Sequence, residues 1–334
     1  MVVVKSPTVD DPASLCQAEE LARTTCGNNS PHLGTSLNNL ATLYHSMGRY
    51  KEAAPLYQQS MEIRSLVLSK DHPDFATSLN NLADVYLAMG RYDEAEPLCQ
   101  KACDLYRAAV GEDHRDFATT LSNLAYMYGA TDRYKEAEPL YRQSLEIKKR
   151  LLGEDHPDIA MSLHNLAYIY GAMGRYKEAE PLYRQSLEIR KRALGENHPE
   201  FATNLYNLAY IYGAMGRYKE AEPLYRQSLE IRKRVWGEDH PDCAASLHNF
   251  AIIRCHMMRF SEAERLLSQV VDRLSANHQH YATAQENLSV VRRLLRTETN
   301  DPRIPDPLRK LQSITLAIAV SSAIERRRRV HARS

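Results

Sequence analysis

The sequence predicts an all-α fold made of antiparallel helix pairs stacked side by side, and three observations carry that prediction. Asn39, Asn81, Asn123, Asn165, Asn207 and Asn249 follow one another at a constant step of 42 residues. Residues 166–192 recur without change at 208–234, the same step away. Inside each period the apolar residues fall at helical spacing twice over, and in most periods a glycine separates the two runs. A period of this length marks a solenoid, because one unit of about 40 residues cannot bury its own apolar face and must stack on its neighbours.

The unit starting at His72 shows how each element arises. Phe75, Leu79, Leu82, Ala83 and Tyr86 share one face of a first helix, A. Pro73 suits its first turn, where a missing N–H costs nothing, and Asp74 suits its positive end. Gly90 ends it, since glycine adopts the left-handed conformation freely. A second helix, B, begins near Tyr92 and runs past Leu105. Pro97 is expected to lie early enough in it to remove little hydrogen bonding, and Gly111 closes it. Asp132 and Met258 replace the first glycine in their units, and Ser69 replaces the second in its own. Methionine tolerates the left-handed region poorly, so the Met258 turn is expected to be strained.

At the ends, residues 14–25 align with the late part of a unit and predict an orphan helix B. Residues 281–295 predict an orphan helix A, with six full pairs between the two. The organisation expected is therefore a disordered start at 1–11, an array at 12–296, and a linker with a basic tail at 297–334.

Composition sets the outer bounds. Hydrophobic content of 43% and charged content of 25% are ordinary for a folded soluble chain. A net charge of +1 gives no bulk attraction for nucleic acid. The start lacks the apolar run of a secretory signal, and no uncharged stretch is long enough to span a bilayer, so a cytoplasmic location is expected. Cys99 stands where other units carry Tyr57, Tyr141, Tyr183 and Tyr225, and Cys243 where others carry Phe75, Phe117, Ile159 and Phe201. Both are expected to be buried as small hydrophobes. Cys99 and Cys103 share a helix face but have no second ligand pair at zinc spacing. There is no glycine-rich phosphate loop, no zincin pair and no nucleophile–base set apart from the repeats, so neither catalysis, metal nor cofactor is expected. His72, His114, His156, His198 and His240 recur because their loop recurs. Adjacent units sit about 10 Å apart, too far for these rings to share a metal, and a structural or solvated role is expected.

The pattern Leu82-Ala83-x-x-Tyr86, then Gly90, Tyr92 and Ala95, resembles the tetratricopeptide repeat. The period exceeds the usual 34 residues by about eight, which lengthens helix B and its loop. With "LNNLA", "GRYxEAEPLY", "SLEIRKR" and "LGEDHPD", this long form is similar to the repeats of kinesin light chains and their relatives, over residues 12–296. The resemblance implies a right-handed α-solenoid, a superhelix whose A helices line a concave groove. It also implies a protein that binds protein partners.

That implied groove is lined by a second stripe on helix A: Thr77, Asn81, Asp84, Ala88, then Thr119, Asn123, Tyr126, Ala130, and onward through Asn165 and Tyr168, and Asn207 and Tyr210. A carboxamide bonds a peptide C=O and N–H together whatever the side chain. An extended peptide advances about 3.3 Å per residue, so one unit spans about three residues. By resemblance to kinesin light chains, Asn81, Asn123, Asn165, Asn207 and Asn249 are peptide-binding candidates. Tyr126, Tyr168, Tyr210, His164 and His248 join them as neighbours on the stripe. A second role stands beside this one: the amides bond neighbouring helices and hold the stack. Kinesin light chain grooves for acidic peptides carry Lys and Arg on the inner positions. This chain has Ser122, His164, Tyr206 and His248 before the Asn instead, with Gly129, Gly171 and Gly213 leaving room beside the Tyr. Apolar or aromatic peptide side chains are therefore expected over acidic ones, and no N-terminal heptads point to a motor partner.

In the tail, "DPRIPDPLRK" reads as a linker, followed by eleven uncharged residues at 314–324 and then Arg326 to Arg329. A helix docked on the array's end, or disorder, is preferred there to contact with an anionic bilayer. The expected function is a monomeric, non-catalytic adaptor holding a partner's peptide segment. The alternative is a structural element that self-associates through its terminal helices.

Overall fold

The computed structural model describes residues 20, 24, 30–68, 72–274 and 280–296. Among them are thirteen helices and no strand. They are α1 (Pro31–Ser46), α2 (Tyr50–Val67), α3 (Pro73–Ala88), α4 (Tyr92–Val110), α5 (Arg115–Ala130) and α6 (Tyr134–Leu152). Then follow α7 (Pro157–Ala172), α8 (Tyr176–Leu194), α9 (Pro199–Ala214), α10 (Tyr218–Trp236), α11 (Pro241–His256), α12 (Phe260–Arg273) and α13 (Tyr281–Arg296). Six pairs and a final unpaired helix A match the expected count. The helix expected at 14–25, Ser69 and the segments 1–11 and 297–334 lie outside the described residues, apart from Glu20 and Thr24. The helices form two compact units, α1–α6 and α7–α13.

Helix A begins in a way the sequence reading did not foresee. Each repeated loop histidine caps its helix: Nδ1 of His72, His114, His156, His198 and His240 accepts the backbone N–H two residues on, at 3.1–3.2 Å. Ser30 does the same for α1, accepting from the amide of Leu33 at 3.1 Å. These bonds satisfy amides that no preceding turn can reach.

Helix B is tied to helix A by a buried serine. Ser60, Ser144, Ser186 and Ser228 are fully buried. Each donates to a carbonyl of its own helix A, at Gly34, Ala118, Ala160 and Ala202, over 2.6–2.7 Å. Cys99 and Cys243 are buried as expected, in the slots that tyrosine and phenylalanine fill elsewhere. Burial pushes the Cys103 and Cys255 thiols up to about 12, so both stay protonated.

Pro97 corrects one expectation. It is the sixth residue of α4, past the first turn, so it does remove a helical hydrogen bond. The helix continues with Pro97 and Asp93, whose carbonyl loses its partner, both exposed, so that solvent has access to that carbonyl.

The Met258 turn is left-handed, at φ 61°, with the side chain half exposed. A residue with a Cβ costs about 1 kcal/mol in this region. Met258→Gly is therefore expected to stabilise α7–α13 by about 0.5–1 kcal/mol after the extra chain entropy of glycine is counted. Urea denaturation followed by circular dichroism checks this, and an unchanged or lowered midpoint sinks the strain.

Candidate peptide-binding face

The ladder amides turn out to link successive A helices. Asn81 Nδ2 donates to Asn38 Oδ1 at 3.1 Å, and Asn123 Nδ2 to Asn80 Oδ1 at 3.1 Å. In the other unit the Asn207 amide lies 3.1 Å from His164 Nε2, Asn249 Nδ2 donates to the Tyr206 hydroxyl at 2.7 Å, and the Asn287 amide lies 2.9 Å from His248 Nε2. In every case the partner is the residue just before the ladder Asn of the previous helix A.

Burial follows the size of that partner. In α1–α6 the partners are asparagines, and Asn81 and Asn123 stay half-buried. In α7–α13 they are rings, and Asn207, Asn249 and Asn287 are closed over. Asn165 is half-buried, although its Oδ1 is buried without a hydrogen-bond partner. Tyr126 and Tyr210 are half-buried, while Tyr168 is buried. His164 and His248 are fully buried. A direct peptide contact does not fit these two rings, nor Asn207 and Asn249, because all four are closed off from solvent. The room expected beside the tyrosines is also filled. Gly129 and Gly171 are buried, and a Cβ at Gly213 would stand 2.9 Å from Cδ1 of Ile253.

Hydrogen-bond chemistry fixes the sense of the buried networks. Arg190 Nη1, 3.3 Å from His164 Nδ1, can only donate. Nδ1 must then accept, Nε2 carries the proton, and the Asn207 amide presents its oxygen to it. The Asn207 NH2 is left facing the Tyr183 hydroxyl, giving partners to two groups that are otherwise unsatisfied. Farther along, His248 Nδ1 lies 3.4 Å from Asn249 Oδ1. That oxygen is an acceptor, so Nδ1 carries the hydrogen and Nε2 accepts from Asn287. Burial holds the His248 ring down at about 4.

Helix B contributes buried cations that the sequence reading missed. Arg64 Nη1 donates to the Asp74 carbonyl and Ser78 Oγ, and Arg232 Nη1 to the Asp242 carbonyl and Ser246 Oγ, at 2.8–3.0 Å. Arg190 reaches the Glu200 carbonyl at 3.0 Å. Each arginine thus clamps the next helix A. The signal was present as the first Arg of "EIRKR" at its repeat position, but its outward-looking neighbours concealed it.

A second set of arginines stands just before the helix B of each of the first five pairs. Arg49, Arg91, Arg133, Arg175 and Arg217 each pair with the Glu three residues on. Each also lies over a tyrosine ring of the preceding helix A, at 4.1–4.4 Å. Arg133 and Arg217 reach back to Glu96 and Glu180 of the preceding helix B.

Repeated helix pairs, joined by amide, serine and arginine links between neighbours, define a helical-repeat scaffold. The tetratricopeptide repeat family model matches residues 33–74, 74–150, 116–192, 158–234 and 200–276. The chain belongs to the tetratricopeptide repeat family, with kinesin-light-chain-like proteins among its structural neighbours. BtubC (BKLC) from P. vanneervenii is 25% identical, with a TM-score of 0.58 over 70% of this chain and 94% of that one. A kinesin-light-chain-like protein of Podosopora anserina with nearly identical TPR-like repeats is 29% identical, with a TM-score of 0.53 over 62% and 98%. The apo form of RapI shares the fold at 18% identity and a TM-score of 0.60, over 88% and 98%. No curated protein matches. Tetratricopeptide repeats generally bind protein partners, and the fold is typically a non-catalytic scaffold. Among the described residues no helix is long and apolar enough to cross a membrane.

Proposed function

We propose that this chain is a non-catalytic, cytoplasmic adaptor that binds an extended peptide segment of a partner protein along its A-helix face. Binding centres on α1, α3 and α5. The observation that carries this reading is the half-exposure of Asn81, Asn123 and Tyr126 together, on successive A helices linked by hydrogen bonds between side-chain amides. Each ladder amide spends one N–H on its neighbour and keeps a second N–H and oxygen lone pairs for a peptide backbone. Within α7–α13 taken by itself, Asn165 and Tyr210 keep partial exposure at the corresponding repeat positions. Apart from Asp84, the side chains three residues after these amides are neutral and small or aromatic, and together they favour apolar and aromatic peptide residues over acidic ones. Assembly through the terminal helix is the weaker reading, since the exposed residues of α13 include Gln285, Glu286, Ser289, Arg292 and Arg293.

An array of immobilised peptides, probed with the full chain and with the Asn81→Ala/Asn123→Ala variant, tests the proposal. Peptide binding is expected to weaken about tenfold in the variant, the equivalent of one lost backbone-directed hydrogen bond pair. An unchanged bound set makes the ladder purely structural. Acidic peptides that clearly outperform apolar ones defeat the stated preference.

A further inference from the structure

The geometry points to a basic partner: we propose that the bound segment seats a lysine or arginine against Asp84. This deepens the peptide-binding reading and rests on it. Three residues after the ladder Asn, α1, α3 and α5 carry Thr42, Asp84 and Tyr126. Of these three Asp84 alone is charged, and its side chain is 28% exposed.

The distribution of charge around it is lopsided. Neither α1 nor α3 contains a lysine or arginine, and α5 has only Arg115, at its first position. In the same unit the carboxylates of Glu52, Glu94, Glu96, Glu136, Glu112 and Asp113 each sit on an arginine. Asp84 instead has His45 Nε2 at 3.6 Å, on a buried ring that packs 5.2 Å from Tyr50. Among the described residues no lysine or arginine pairs with Asp84. A cation on this side, the Lys148 ammonium, is held 3.0 Å from Ser122 Oγ on α5 and is not paired with Asp84. A half-buried carboxylate without a cationic partner attracts a mobile cation more strongly than an exposed one and penalises an incoming carboxylate. A basic side chain on an extended segment also brings the long aliphatic stem that suits the neighbouring Tyr126.

The test uses the full chain and nine-residue capped peptides of neutral background, identical except for a central Lys, Arg, Glu or norleucine, with fluorescence anisotropy as readout. Lys and Arg peptides are expected to bind about tenfold tighter than norleucine, and Glu peptides weaker. Asp84→Asn, whose melting temperature should match wild type, removes the difference while leaving norleucine binding unchanged, and Asp84→Lys inverts it. Raising salt from 0.15 to 0.5 M provides a check without mutation, shrinking only the Lys and Arg advantage. Equal binding of Lys and norleucine peptides, or a preference that survives Asp84→Asn, overturns the inference while the adaptor reading stands. Failure of every peptide to bind overturns both. Light scattering on the same samples completes the test: self-association in place of peptide binding assigns the face to a second copy and overturns the basic-peptide proposal.

Discussion

Replacing Asn207 by alanine is expected to destabilise α7–α13 by about 2–4 kcal/mol, whereas Asn123→Ala should cost α1–α6 less than about 1 kcal/mol. The two residues occupy the same repeat position and differ in what lies over them. Asn207 is fully buried against His164, which is itself fully buried and shared with Arg190. Removing the amide strands one imidazole nitrogen and the Tyr183 hydroxyl without water, and leaves a cavity. Both costs are large because neither can be relieved by solvent. Asn123 is half-buried and bonds Asn80, so water replaces the lost contact. Stacked repeats unfold in parts, so hydrogen exchange of the α9 and α5 amides is a better measurement than a single melting temperature. Equal losses of protection in the two variants would defeat the distinction.

The second large effect is acid lability centred on His248. Its folded-state value is about 4, pushed down from an ordinary value near 6.5 by burial. Above about pH 6.5 neither the folded nor the unfolded ring is protonated, and stability does not depend on this group. Between about pH 6.5 and 4 the unfolded ring takes a proton that the folded ring refuses, so stability falls with pH. Below about 4 both states bind it and the loss levels off, at about 3 kcal/mol in total. Geometry gives the cause: a proton on Nε2 would face the donating Asn287 amide. His256, stacked on Tyr218 at 4.6 Å and also held down by burial, adds a smaller slope of the same sign. The variant His248→Gln should flatten most of the pH dependence, measured by urea denaturation at pH 7, 5.5 and 4.5. If the variant keeps the wild-type slope, the buried ring is not its source.

Much of this architecture was legible in the residues. The 42-residue step, the apolar spacing around Leu79 and Leu82 and the glycine at Gly90 gave six pairs and the final unpaired helix. The strained Met258 turn was legible too, because a Cβ in the left-handed region is costly wherever it occurs. The capping role of the loop histidines was hidden, since a capping nitrogen two residues ahead of an acidic residue resembles any polar loop. Pro97 was expected early enough in helix B to do little damage, but it lies beyond the first turn of α4, at a place where Asp93 and Pro97 are both exposed.

The sequence by itself determined the period, the helix pairs, their turns and the position of the amide ladder, because these depend on local conformational preference and on apolar spacing. The tertiary structure decided which ladder residues face solvent. Asn81 and Asn207 are chemically identical, but a small amide at Asn38 leaves the first half-open while the ring of His164 seals the second. That outcome depends on a contact made 43 residues away, across two helices that only stacking brings together.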